Sequence, residues 1–397
     1  MRTHYEVLIA GGGPAGLSAA YAAAQAGLHV AVFERSKEIG YPIHTSGGSW
    51  IADLRRLGIP TRYMHPIRTG VFLAPNARAE FNYDDPVSCI LDIRGLYQYL
   101  AMLAGRAGAE IFPASQVESV LFEKNLPAGL RVRGRGDFFA PLLIDASGVQ
   151  GVLAQQCGLR REFERHGVGA EVDLVSARWP QDTIALLFGR LAGPAGYGWI
   201  FPHGDERVRL GVGVIRPDTN YDARQALQNL LEYARTAFQL ETNAQLEIHT
   251  GAIPSVAPLE RASSDGLLVV GDAAALVSTL LGEGIRFAIE LGRLAGEVAV
   301  QANQAGIFDA RFLARFDKMW RARYGRMFSW GQRLNRRLAQ YDDEKWNAKI
   351  RMLAQLPADV IPALLQGRVW ERKLIAALWR HRDAIKLASL QPLFRIN

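Results

Sequence analysis

The chain has 397 residues, of which 49% are hydrophobic and 21% charged, and carries a net charge of +7. That composition excludes a disordered or fibrous chain, and the length exceeds one ordinary core, so two structural regions are expected. Its two cysteines, Cys89 and Cys157, show no CxxC spacing. This argues against a disulfide framework or a cysteine zinc site, leaving two buried thiols and no metal as the expectation.

In chain order, residues 5–10 form an apolar run of strand length. Gly11-Gly12-Gly13-Pro14-Ala15-Gly16 follows at once, residues 17–26 are alanine-rich and helical, and residues 30–33 make a second buried strand closed by Glu34. Strand, tight turn, helix and strand, with an acid 18 residues beyond Gly16, is a dinucleotide-binding pattern. Gly11 permits the turn, Gly13 lets the backbone approach a pyrophosphate, and Gly16 lets helix and strand pack closely. The phosphates would sit on the helix N-terminus, and Glu34 would accept from a ribose hydroxyl. Residues 7–33 hold no Asp, Glu, Lys or Arg, but five glycines argue against a membrane span. The first strand starts almost at Met1, so no signal peptide is expected and the location is taken as cytoplasmic.

Residues 39–49 have loop chemistry, with Pro42 and Gly47-Gly48. Arg94 precedes an amphipathic helix over 96–107. Strands are expected over 114–122 and 130–133, and a buried strand within 140–148 ends in a small-residue turn. Short strands over 184–188, 197–201 and 208–214, separated by turn signals, imply an antiparallel sheet. Residues 222–238 look helical. A buried strand over 267–270 then runs into Gly271-Asp272, and residues 284–304 form a long helix.

Gly271-Asp272 places a carboxylate at the C-terminal edge of the sheet, where it can accept from a ribityl hydroxyl. The Gly282-Glu283-Gly284 turn precedes a helix, so bare N–H groups and the positive end of the helix dipole face the site. A reduced flavin carries negative charge near N1 and O2, which such a terminus stabilises. These are flavin needs, so FAD rather than NAD is expected. No second dinucleotide loop is visible. The electron donor is therefore external: a ferredoxin-like protein, a quinol, or transiently docked NAD(P)H.

From residue 311 onward the chain has 19 Lys+Arg against 7 Asp+Glu. No nucleic-acid motif accompanies the charge, so nucleic acid is discounted; a solvated helical face, a peripheral membrane contact and a phosphorylated substrate all stay open. Phe312, Phe316, Trp320, Tyr324, Met327, Leu334 and Leu338 fall on one helical stripe with a long step at 327–334. It can pack on the core, cap a tunnel or lie on a membrane surface. Trp370 and Trp379 are placed in the same cover.

On these residues the chain resembles the flavin-dependent hydroxylase superfamily and, within it, the geranylgeranyl reductase family. The broad marks are the Gly11–Gly16 loop with Glu34, Arg94 and Gly271-Asp272. The narrow ones are Tyr197-Gly198-Trp199-Ile200-Phe201-Pro202 and Gly282-Glu283-Gly284-Ile285. The resemblance implies an α/β fold of mixed α+β character. A Rossmann-like FAD-binding domain (1–70, 90–160 and 252–305) is interleaved with an antiparallel-sheet substrate domain (71–89 and 161–251), and a helical region follows (306–397). It implies FAD contacts from Ala15, Glu34, Arg35, Arg94, Val117 (through its backbone), Asp272, Gly284 and Ile285, beside Gly271 and Gly282. It also implies a substrate cavity lined by Tyr197 and Trp199. Phe201 is in phase with them; from periodicity alone all three are equally sheet core.

The implied reaction is hydride transfer from reduced flavin N5 to a C=C bond of a prenyl or prenyl-lipid chain. The rivals are an oxygen-using monooxygenase or halogenase of the same superfamily, and a non-catalytic flavin protein that docks on a membrane or partner. The halogenase pattern Trp-x-Trp-x-Ile-Pro differs at Tyr197 and Phe201. One departure from the family stands at His44-Thr45-Ser46-Gly47-Gly48, where an Arg-Cys pair is common. Backbone contacts from Thr45, Ser46 and Gly48 survive that change, and a thiol role does not. No catalytic residue is assigned; His44, as a proton source, and Tyr197 are the candidates.

Overall fold

The structure is a computed structural model and describes residues 2–380; the end of the expected helical region, 381–397, lies outside the described residues. The apolar runs with no alternation become the four fully buried inner strands of a six-stranded sheet. Its order is Ser263–Ser264, Leu267–Val269, Leu142–Asp145, Val7–Ala10, Val30–Phe33, Glu110–Phe112. All neighbours are parallel except the first pair. The chain therefore visits this sheet in three separate passes.

Six helices of eleven or more residues are found among the described residues. They are α1 (Pro14–Gln25), α2 (Ile93–Arg106), α3 (Ala223–Ala237), α4 (Ile285–Ala305), α5 (Ala310–Leu338) and α6 (Asp343–Leu353). Helices α1 and α4 pack on one another through small residues. A β-carbon on Gly292 would stand 2.3 Å from the Ala15 carbonyl oxygen, and one on Gly296 would stand 2.5 Å from that of Ala19. This contact ties the first pass of the chain to the last.

The second sheet has seven strands, ordered Gln245–Pro254, His166–Val175, Arg207–Arg216, Gly196–Gly204, Thr183–Leu187, Thr69–Ala74, Ala77–Asn82. One face carries Val172, Leu174, Ile200, Leu210 and Val212 against Leu227, Leu230 and Ala234 of α3. The other face carries Glu171, Asp173, Trp199 and Arg209. Four strands of this sheet, Thr69–Ala74, Ala77–Asn82, His166–Val175 and Gln245–Pro254, have no counterpart among the expected strands. In the last two, cavity-side positions hold Gly, Asp, Glu and His, which look like surface in a sequence.

Other differences are local. The strand expected from residue 114 begins at Val117, because Ala114 adopts φ 51°. Helix α2 starts at Ile93 rather than 96, where the Asp92 side chain accepts from the Gly95 N–H at 3.0 Å. Cys89 is buried, but Cys157 is only half-buried.

Candidate active site

Four of the six long helices, α2, α3, α5 and α6, begin with an aspartate that caps them: Asp92, Asp222, Asp309 and Asp342. Helices α1 and α4 begin at Gly13 and Gly284 and have no capping side chain. Their first N–H groups and the positive ends of their dipoles are left for a ligand. At Gly13 a β-carbon would meet nothing within 4 Å, so the backbone there faces open space. At Gly11 it would stand 2.2 Å from the Ala146 carbonyl oxygen, and at Gly16 it would stand 2.0 Å from that of Gly11. The loop is thus closed on its protein side and open on its groove side.

Glu34 is already engaged. Its two carboxylate oxygens accept the Gly12 N–H at 2.8 Å and the Ser36 N–H at 2.7 Å. Each oxygen keeps a second acceptor site for a ribose hydroxyl. Arg35 is exposed beside it. Val117 opens its strand close by, since the Ser115 N–H donates to the Glu34 carbonyl. Arg94 is exposed and ion-paired to Glu38, which also accepts from Gln98 at 2.9 Å.

Gly271 and Asp272 form the first turn after the strand Leu267–Val269. Burial pushes the Asp272 carboxyl up to about 6, with no hydrogen bond to offset it. A β-carbon on Gly284 would lie 3.3 Å from Asp272 Oδ1, so carboxylate and α4 N-terminus adjoin. Ile285 is the first residue of α4. The expectation of bare N–H groups across 282–284 needs one correction. The Glu283 N–H donates to the Ser278 carbonyl at 3.1 Å. Its side chain turns inward to Trp50 Nε1 at 3.1 Å and Arg286 Nε at 2.7 Å.

The donors and acceptors present fit FAD. Two uncapped helix ends suit the pyrophosphate and the flavin O2 edge, and an unsatisfied Asp272 suits a ribityl hydroxyl.

A cavity of about 500 Å³ adjoins this groove and includes Thr45, Ser46 and Gly282 in its wall. Tyr197 and Trp199 line it from the seven-stranded sheet. The Tyr197 hydroxyl donates to the Leu281 carbonyl at 2.5 Å. Phe201 is not among the lining residues. It packs in the core behind, its ring 6.2 Å from that of Trp199 and against Gly48. His44 lines the cavity but is exposed, with Nδ1 2.9 Å from the Thr250 carbonyl oxygen.

Space for the cavity comes from glycines on the same sheet face, Gly167, Gly169 and Gly213; Gly251 lets the His44 carbonyl approach, and Gly211 lies beneath the indole. A β-carbon on Gly211 would sit 2.4 Å from Trp199 Cε2. Alternate glycines in a strand are the sequence signal of such close approach. Glu171, a buried carboxylate in the cavity wall, carries no comparable signal and is absent from the expected site.

Helical residues complete the chamber: Trp330, Leu334 and Leu338 of α5, Trp346 and Ile350 of α6, and Leu364. The rings of Phe188 and Trp346 stack at 4.3 Å. Arg333, Arg337 and Lys349 also border it. Burial and Arg337 lower the Lys349 pKa.

Residues 6–249 match the family model described as FAD dependent oxidoreductase. The chain is 32% identical to digeranylgeranylglycerophospholipid reductase 2 of Methanothermobacter thermautotrophicus, covering 88% of this chain and 91% of that protein. It is 30% identical to the digeranylgeranylglycerophospholipid reductase of Methanosphaerula palustris, covering 97% and 100%. A geranylgeranyl bacteriochlorophyll reductase-like structure from Thermoplasma acidophilum superposes with a TM-score of 0.85 at 22% identity, covering 96% of this chain and all of that one. The flavin-dependent brominase Bmp2 superposes with a TM-score of 0.71 at 18% identity, covering 98% and 99%.

Proposed function

The chain belongs to the geranylgeranyl reductase family of FAD-dependent oxidoreductases, and from that premise we propose that it saturates C=C bonds in the prenyl chains of an anionic lipid. When bound and reduced by an external donor, FAD supplies the hydride. Asp272, Glu34 and the N-termini of α1 and α4 would hold and orient it, and the field of α4 would ease its reduction.

The observation that carries the proposal is the apolar chamber beside the cofactor groove. An isolated alkene offers no polar handle, so shape must place it. At about 500 Å³ the chamber falls within the roughly 300–1,000 Å³ usual for small-molecule sites. Tyr197, Trp199, Trp346 and the leucines of α5 wrap a hydrocarbon chain and keep water out. Arg333, Arg337 and Lys349 give an anionic head group its partners. The names of the two archaeal relatives support a glycerophospholipid head.

The test offers the FAD-loaded, reduced protein a geranylgeranyl phospholipid, diphosphate and alcohol without oxygen. The anionic compounds should reoxidise the flavin faster than the alcohol. Silence toward all three contradicts the reading.

A further inference from the structure

The strand His166–Val175 carries two buried carboxylates on its cavity face, Glu171 and Asp173, and a single buried guanidinium, Arg209, stands between them. Arg209 gives its charge to Asp173. Nε donates to Oδ1 at 2.6 Å and Nη2 to Oδ2 at 2.9 Å. Its Nη1 donates to the carbonyls of Thr45 and Ser46 at 3.2 and 3.4 Å. Arg207 adds a second donor to Asp173 at 2.9 Å.

Glu171 is left with one hydrogen bond, from Trp199 Nε1 at 3.2 Å, and stands 3.8 Å from Arg209 Nε. The other charged and titratable neighbours come from adjoining elements. His249 lies directly across on the next strand, 3.5 Å from half-exposed Glu247 and 3.5 Å from Arg209 Nη2. The charges of Glu283 and Glu171 both bear on the Tyr197 phenol, and His203 bears on Asp173.

A buried carboxylate with no directly hydrogen-bonded cation holds its proton more readily than one bonded to two guanidinium groups. Arg209 and His249 hold Asp173 far below the ordinary aspartate range, although burial opposes them. Burial is the largest influence on Glu171 and raises it. The two earlier candidates are placed less well. The Tyr197 proton is committed to the Leu281 carbonyl, and His44 is exposed.

We propose that Glu171, which lines the cavity, is the catalytic acid that protonates the substrate alkene. The proposal rests on the prenyl-reductase reading. The alkene π pair takes the Glu171 proton and forms one C–H bond. A hydride, two electrons from the reduced flavin, forms the other at the neighbouring carbon. The external donor restores those electrons. The Glu171 carboxylate left behind is held by the Trp199 N–H and Arg209.

The test compares wild type, Glu171→Gln and Asp173→Asn as FAD-loaded holoproteins, and repeats the comparison without flavin by infrared difference spectroscopy. Glu171→Gln should bind FAD and accept electrons like wild type. Its reoxidation by prenyl lipid should fall by about 10²–10⁴-fold, the usual contribution of a general acid. Wild-type kcat should fall as pH rises through the Glu171 titration, and that limb should be missing in the variant. Flavin-free wild type at neutral pH should show a protonated-carboxyl band that shifts in D₂O and vanishes in Glu171→Gln but not in Asp173→Asn. Trp199→Phe, which keeps the acid but removes the N–H that holds its conjugate base, should lower kcat more than it changes KM. Reoxidation of Glu171→Gln within threefold of wild type, or no such band, overturns the proposal. A wild type that no prenyl compound reoxidises would instead remove the function on which it rests.

Discussion

A methyl group added at Gly13 meets open space, whereas at Gly16 it stands 2.0 Å from the Gly11 carbonyl oxygen. Gly13 also has an ordinary φ of −80°. Gly13→Ala should therefore leave the melting of the flavin-free protein unchanged and weaken FAD binding at least about tenfold, because its methyl enters the phosphate position. Gly16→Ala should cost about 2 kcal/mol or more of stability even without flavin. Equal destabilisation of the two by calorimetry would contradict this division. Asp272 gives a pH test. Its carboxyl, raised from 3.8 to about 6, contributes stability that is present below the ordinary aspartate value and lost as pH rises through about 6. Asp272→Asn should thus unfold like wild type near pH 3, and at pH 7 be more stable in the flavin-free form by up to about 3 kcal/mol in urea titrations, while binding FAD less well. Residues such as these were legible because a backbone turn or sheet edge demands them. Glu171 was not, since nothing in one sequence tells a buried acid from a solvated one. Phe201 shares the phase of Tyr197 and Trp199, but periodicity assigns a face and not a distance along it.

Helix α5 joins two environments. Its first half, with Phe316 and Trp320, is buried against the parallel-sheet core, while Trp330, Leu334 and Leu338 line the cavity. The stripe of apolar residues predicted one helix; the long step at 327–334 is filled by Trp330, a residue that the stripe as drawn had skipped. Core packing and tunnel lining, set out as alternatives, hold for successive halves of the same element. Leu338→Trp should fill part of the chamber. FAD absorbance and flavin reduction should stay normal while reoxidation by prenyl lipid falls at least about tenfold. A variant with unchanged turnover would place the substrate elsewhere. The parallel strands were legible as unbroken apolar runs. The strands His166–Val175 and Gln245–Pro254 were hidden because a cavity, unlike a core, lets glycine and charge point inward.

At the scale of the whole chain, three passes through one sheet bring residue 13 and residue 284 to a common groove, and the glycine contacts between α1 and α4 fix that meeting. The dinucleotide signature and the Gly271–Ile285 segment made the groove readable. The chamber was not, because it is assembled from a sheet face and from helices that follow it only after a long stretch of chain. No helix among the described residues is long and apolar enough to cross a membrane. The most direct measurement is an oxygen-free single turnover. The FAD-loaded, fully reduced protein is mixed with a geranylgeranyl phospholipid, and flavin absorbance is followed while the product is weighed by mass spectrometry. The account predicts one C=C bond saturated for each flavin reoxidised, with the same yield whether or not air is later admitted. A product that gains oxygen or halogen, or that forms only in air, would contradict it.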